Sequence, residues 1–109
     1  MGNTYKVLWQ SKNTTTTLVD QYTVPGATST VVSTMEVCNQ SATATSFRIS
    51  VAVAGTTDTG KQYLKYDLAI GSNASWQFTE GVTLAATDVV RFQANATTLS
   101  FNGFGVEIT

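Results

Sequence analysis

The 109-residue chain carries little charge: 12% of its residues are charged, its net charge is −1, and it contains one cysteine and no histidine. One cysteine excludes an internal disulfide, and the six basic residues are scattered, which argues against binding to nucleic acid. Histidine is the side chain whose ordinary pKa lies nearest neutrality, so its absence favours a structural or binding module over an enzyme.

The first seventeen residues differ in character from the rest of the chain. Residues 5–9 form a short amphipathic run, and residues 12–17 are polar and rich in threonine. The pattern leaves two interpretations open: a first edge strand with its loop, or an N-terminal arm that packs on a neighbouring subunit. We therefore separate residues 1–17, as an N-terminal segment, from a β-sandwich domain at residues 18–109.

Two regions are candidates for contacts with other proteins. Aromatic and large aliphatic side chains supply much of the binding free energy at protein interfaces, which favours the N-terminal segment. The interface contacts expected there are Tyr5, Val7, Leu8 and Trp9. The glycine-bounded loop at residues 55–60 is the second choice, with Thr57 and Asp58 as its contact residues.

Beyond the N-terminal segment, apolar and polar side chains alternate with a period of two, which is typical of half-buried β-strands. In the clearest run, Phe47 to Val53, every second residue is large and apolar. The side chains expected to face the core are Val31, Ser33, Met35, Val37, Phe47, Ile49, Val51, Val53, Leu64, Tyr66, Leu68, Ile70, Trp76, Phe78, Val90, Phe92, Leu99, Phe101, Phe104, Val106 and Ile108. Turn residues, Asn102-Gly103 among them, separate these runs at intervals of about 8–12 residues. The sequence therefore predicts an all-β domain, an antiparallel β-sandwich of about eight strands, jelly-roll-like.

The segment from Gly55 to Gln62 nearly matches the loop that cradles phosphate groups in nucleotide-binding proteins. Gln62 stands where that loop needs a hydroxyl for Mg²⁺, and the following residues alternate as a strand, so a loop between antiparallel strands is favoured. Cys38 has no histidine to activate it, and the carboxylates are spread singly. We expect no catalytic residue, no cofactor and no metal site, and the short apolar runs predict no membrane span.

Several short stretches of the sequence resemble those of a known class of protein. The stretches are Tyr22-Thr23-Val24-Pro25, Thr28–Thr34, Val37-Cys38-Asn39, Ser41–Thr45 before Phe47-Arg48-Ile49, Tyr63-Leu64, Tyr66-Asp67, Gly81–Val90, Leu99–Phe101, Phe104-Gly105 and Glu107-Ile108. Over residues 18–109 the chain resembles small β-rich virion structural proteins of tailed bacteriophages. The likeness is one of whole pattern and contains no catalytic signature.

The resemblance implies a non-enzymatic structural protein of the virion, assembled in the host cytoplasm. A capsid cement, or decoration, protein is the role expected first. Such a protein would bind the major capsid protein at the capsid surface, stabilise the joints between its subunits and form a homotrimer. A tail, collar or baseplate-associated adaptor is one alternative. A carbohydrate-binding module is another, and it predicts a row of exposed aromatic rings, with Trp9, Tyr63 and Trp76 as candidates.

Overall fold

The computed structural model describes residues 2–109, which form two antiparallel sheets packed face to face. The strands are β1 (Asn3–Lys12), β2 (Val19–Thr23), β3 (Ser29–Asn39), β4 (Thr45–Ala52), β5 (Tyr63–Ile70), β6 (Ser75–Phe78), β7 (Val82–Leu84), β8 (Val89–Ala94) and β9 (Leu99–Ile108). A 3₁₀ turn, Val53–Gly55, follows β4. The first sheet has the order β1-β9-β3-β6, with β7 also paired to β3, and the second has the order β2-β8-β4-β5.

The strand pairing is that of a jelly roll. β1 pairs with β9, β2 with β8, β3 with β6 and β7, and β4 with β5. The chain is thus one long hairpin, rolled so that successive strand pairs alternate between the two sheets. β6 and β7 pair with different parts of β3 and together fill one edge position, which gives eight strand positions. The predicted all-β, jelly-roll-like sandwich is confirmed.

The core between the sheets is built largely from aromatic rings. Phe92 of β8 and Phe101 of β9 stack across the two sheets, with ring centres 4.3 Å apart. Trp9 of β1 packs against Phe101 at 5.2 Å, and Phe47 of β4 packs against Phe92 at 6.0 Å. Aromatic pairs stabilise a fold beyond the area that they bury, so this chain of rings fixes one sheet against the other.

A β-bulge reverses the predicted alternation in the first half of β3. The pairing of β3 with β9 shifts between Val32 and Thr34. A bulge adds one residue to a strand, so side chains on its two sides occupy opposite phases of the alternation. Thr30 and Val32 are therefore buried, whereas Val31 and Ser33, predicted to face the core, lie on the outer face.

The β5 strand departs from the predicted alternation in the same way. Its pairing with β4 shifts twice, at Tyr66–Asp67 and at Leu64, and Asp67 adopts a left-handed backbone conformation with φ of 51°. Leu64 and Tyr66 are consequently 39% and 60% exposed. Val53 lies in the 3₁₀ turn rather than in β4 and is 68% exposed. The prediction that these three apolar side chains face the core is wrong.

The N-terminal segment is part of the sandwich. Residues 3–12 form β1, an edge strand of the first sheet along β9. Gly2 and Thr109 exchange two backbone hydrogen bonds, which secure the beginning of this strand. Of the two interpretations left open by the sequence, the structure has the edge strand, and residue 17 does not mark a boundary between structural units; residue 1 lies outside the described residues.

Two of the predicted interface contacts in β1 are core residues. Leu8 is 8% exposed and Trp9 is 6% exposed. The pairing with β9 shifts between Val7 and Trp9, so that strand alternation is interrupted and two successive side chains are buried. This corrects the assignment of Leu8 and Trp9 as surface anchors, because neither side chain is accessible to a partner of the folded chain.

Candidate interaction surface

The side chains of β9 alternate between the core and the outer face of the first sheet. Phe101 is fully buried, and Glu107 points inward, since its carboxylate accepts a hydrogen bond from the hydroxyl of Tyr22 in the second sheet. The outward side chains of this half of β9 are Phe104, Val106 and Ile108. All three were predicted to face the core, and that prediction is wrong.

The strands on either side of β9 add apolar side chains to the same outer face. On β1, Tyr5 lies opposite Val106 and Val7 lies opposite Phe104. On β3, Val31 also lies opposite Val106. Tyr5 is 78% exposed and Val7 is 49% exposed. The apolar patch formed in this way consists of Tyr5, Val7, Val31, Phe104, Val106 and Ile108.

The outer face of the first sheet, called the neutral face below, carries two charged strand residues within residues 2–109. Lys12 points outward because its neighbour Ser11 points inward and bonds to Gln21 of the second sheet. Glu36 points outward between two fully buried neighbours, Met35 and Val37. Lys12 is level with Ser100 and Glu36 with Asn102, whereas the apolar patch begins at the level of Phe104, so both charges lie beyond one end of the patch.

The outer face of the second sheet is different because it carries ion pairs. The guanidinium of Arg48 donates two hydrogen bonds to the carboxylate of Asp67, at 2.7 and 3.1 Å. These bonds hold the pKa of Asp67 below its ordinary value. Arg91 donates to Asp20 at 2.8 Å. One side of the sandwich is thus charged and internally paired, whereas the other is apolar at one end and nearly free of charge.

The neutral face has the features of a protein-binding surface. Soluble monomers rarely expose large contiguous apolar patches, and tyrosine and phenylalanine are enriched where proteins meet. Pairing through the edge of β1 is disfavoured, because the bulge after Val7 and the inward-pointing Lys6 interrupt the edge. A partner would therefore contact the face of this sheet. Tyr5 and Val7, both predicted as contacts from the sequence, lie on this face, on its edge strand β1.

No family model matches the chain, and neither does any curated protein. Within residues 2–109 there is no helix long and apolar enough to cross a membrane. The same residues contain no group of three or more cysteine and carboxylate side chains that could hold a metal ion.

The second predicted contact region is held against the second sheet by Arg91. Its guanidinium donates to the backbone carbonyls of Gly55 and Thr56, at 2.9 and 2.7 Å, and to the carboxylate of Asp58 at 2.7 Å. The side chain of Asp58 is only 7% exposed. Asp58 therefore fixes the loop and is not free to bind a partner, which corrects its assignment as a contact residue.

The rest of this loop matches the favoured interpretation of a connection between antiparallel strands. Gln62 is buried and accepts a hydrogen bond from the backbone N–H of Thr59 at 2.8 Å, which closes the loop. β5 begins at Tyr63, so a strand follows the loop. Thr57 is exposed, but the loop packs on the second sheet, and the structure does not bring Thr57 together with Tyr5.

The aromatic residues proposed for carbohydrate binding do not form a row. Trp9 is in the core, and Trp76 is half-buried with its ring 5.8 Å from that of Phe47. The most exposed rings are Tyr5 and Tyr66, and they belong to different sheets. Tyr63 is half-buried, and its ring meets that of Tyr66 edge to face, at 5.0 Å and 84°. A flat sugar-stacking surface needs rings that lie side by side in one plane, so the geometry does not favour this alternative.

A polar network lies beneath the apolar patch, between the two sheets. The hydroxyl of Tyr22 donates to Glu107 and lies 2.9 Å from the hydroxyl of Thr30. Lys6 donates to the other carboxylate oxygen of Glu107 at 3.2 Å. Burial and the bond to Glu107 raise the pKa of Tyr22 to about 12. The hydrogen bonds from Tyr22 and Lys6 hold the pKa of Glu107 below its ordinary value.

This network predicts how the stability changes with pH. The raised pKa of Tyr22 means that its contribution is complete below pH 10 and is lost as the pH rises from 10 towards 12. The lowered pKa of Glu107 means that its contribution is present above pH 4.5 and is lost at lower pH. Tyr22→Phe is expected to reduce both the alkaline and the acid loss of stability. The measurement is the melting temperature, followed by circular dichroism at pH values from below 4.5 to 12. Equal alkaline losses in the parent and in Tyr22→Phe would contradict the assignment.

Proposed function

We propose that the chain is a non-enzymatic structural protein of a tailed-phage virion and that it packs against another protein chain of the virion through its neutral face. The observation that carries the proposal is the apolar patch on a sheet face with almost no charge. The resemblance over residues 18–109 supplies the virion setting. Jelly rolls serve in viral capsids, lectins and enzymes alike, so the fold is compatible with the proposal without selecting it.

Within the virion, a capsid cement protein is the proposed role. The major capsid protein is the proposed partner, at the capsid surface, after assembly in the host cytoplasm; the homotrimer remains a prediction. A tail, collar or baseplate-associated adaptor is the nearest alternative. Nucleic acid is not proposed as a partner, because Lys6, Arg48, Lys65 and Arg91, four of the six cations, are already in ion pairs.

The copy number of the chain in purified particles tests this proposal. Quantitative mass spectrometry against the major capsid protein is expected to give a large, fixed ratio for a cement protein. A ratio of a few per cent would move the protein to the tail, and its absence from particles would overturn the virion assignment.

A matched pair of variants tests the surface in the same particles. Tyr5→Ser removes an exposed ring from the neutral face, and Tyr66→Ser removes one from the other sheet. Loss of one aromatic anchor typically costs about 2 kcal/mol of binding free energy, so Tyr5→Ser is expected to lower incorporation at least about tenfold. Tyr66→Ser is expected to be incorporated like the parent. Equal incorporation of all three chains would exclude the neutral face as the contact.

A further inference from the structure

We infer that the partner at the neutral face is a second copy of this chain, packed face to face about a two-fold axis, in place of the predicted homotrimer. The inference rests on the proposed function only in taking the neutral face as a contact surface. A symmetric pair needs a surface that is complementary to itself. The arrangement of the apolar patch and of the two charges on this face has that property.

The apolar patch is arranged about β9, with β1 on one side and β3 on the other. A two-fold axis parallel to β9 and just above the face places β9 over β9 and exchanges the positions of β1 and β3. Tyr5 and Val31 are both level with Val106. In the pair, Tyr5 of each copy therefore meets Val31 of the other, and Val106 meets its own counterpart at the axis.

The same operation brings the two charges of the neutral face together with opposite signs. Lys12 on β1 is level with Ser100 of β9, and Glu36 on β3 is level with Asn102. The two levels differ by two residues, roughly 7 Å along the strand, which long side chains span. Lys12 of each copy thus lies near Glu36 of the other, so the pair contains two symmetry-related ion pairs and no opposed like charges.

The area of the face agrees with a pair of low affinity. The three overlapping strands, each about ten residues long, span roughly 14 Å by 33 Å per copy. The pair then buries roughly 900 Å², which is below the range of stable complexes and typical of weak, transient association. The same axis aligns the strands of the two copies, within the range of about 30° that is typical of sheets packed face to face. We expect a dissociation constant on the order of 10 µM.

The experiment is sedimentation equilibrium of the full chain between about 1 and 100 µM, a range that brackets the expected dissociation constant. The parent is expected to approach twice its monomer mass of 11.6 kDa. Lys12→Glu or Glu36→Lys alone opposes like charges twice in the pair, so each is expected to weaken pairing about tenfold. The double exchange, Lys12→Glu with Glu36→Lys, restores the two ion pairs and is expected to restore pairing. Lys61→Glu, on the loop of the second sheet, is the matched control and is expected to pair like the parent.

The outcomes separate this inference from the proposed function. A chain that stays monomeric at the highest concentration overturns the pair, as does a trimer or a dimer that the single reversals do not weaken. Circular dichroism melts of each variant show whether a loss of pairing reflects a loss of folding. A dimer that is absent from purified particles leaves the pair standing and overturns the virion role. A chain that is monomeric in solution but abundant in particles overturns the pair and supports the virion role.

Discussion

Gly103→Ala is expected to lower the free energy of unfolding by about 3 kcal/mol, the upper end of what overpacking a core typically costs. A Cβ atom on Gly103 would lie 2.3 Å from ring carbons of Trp9. That ring cannot move aside, because it is packed between Tyr22 at 5.6 Å and Phe101 at 5.2 Å. The measurement is urea unfolding followed by tryptophan fluorescence and circular dichroism.

Two further variants make this prediction specific to the contact. Gly26→Ala adds the same methyl group where nothing lies within 4 Å, and it is expected to change the free energy of unfolding by less than about 0.5 kcal/mol. Trp9→Leu lowers the free energy of unfolding by itself. In the Gly103→Ala background the same substitution is expected to cause a smaller loss, because it removes the ring with which the added methyl group clashes. If Gly103→Ala were as stable as Gly26→Ala, the close approach of β9 to Trp9 would be refuted.

Arg91→Leu is expected to lower the free energy of unfolding by about 2 to 3 kcal/mol, as for a nearly buried ion pair that loses one partner. The substitution leaves the carboxylate of Asp58 without the guanidinium that it contacts at 2.7 Å. It also removes the donors to the carbonyls of Gly55 and Thr56. Faster proteolytic cleavage within residues 55–60 should accompany the loss of stability.

The control for this prediction is the other arginine–carboxylate pair of the same sheet. Arg48→Leu breaks the exposed pair with Asp67, and exposed pairs contribute little because water and salt screen them, so a much smaller change is expected. Asp58→Asn in the Arg91→Leu background should recover part of the loss, since it removes the unpaired charge. Comparable losses in Arg91→Leu and Arg48→Leu would show that burial does not distinguish the two pairs.

The fold class could be predicted because strand-forming runs separated by turn residues leave few architectures for a chain of this length. The central core followed from the same pattern: Phe47, Ile49, Phe92 and Phe101 are all essentially buried, as expected. The errors in β3 and β5 lie where one residue is added to a strand. The bulge at Ser33 reverses which side chains of the first half of β3 point into the core. A period-two pattern in the sequence cannot show where such a bulge occurs.

The apolar patch was missed even though the sequence contains a signal for it. Phe101 faces the core, and continuing its alternation puts Gly103, Gly105 and Glu107 on the inner side and Phe104 on the outer face. Interpreting Asn102-Gly103 as a turn broke that continuity. The structure explains both glycines: a Cβ on Gly103 would collide with Trp9, and one on Gly105 would lie 2.0 Å from a backbone oxygen of β3.

The contacts of Arg91 could not be predicted in the same way. Its partners Asp20 and Asp58 are 71 and 33 residues away along the chain, and no local pattern connects them. The glycines of the loop at residues 55–60, together with Lys61, resemble a phosphate-binding loop. Its conformation depends instead on one arginine from a distant strand, which only the three-dimensional arrangement reveals.

The position of β9 between β1 and β3 links binding to the completion of folding. The neutral face needs all three strands, and β1 pairs with β9 from Asn3 opposite Ile108 to Lys12 opposite Ser100. Contacts between residues so far apart form late and slowly, because the entropy of closing a long loop is lost first. A chain that has not yet inserted β9 has no complete neutral face, so under the proposed function incompletely folded copies would be excluded from assembly.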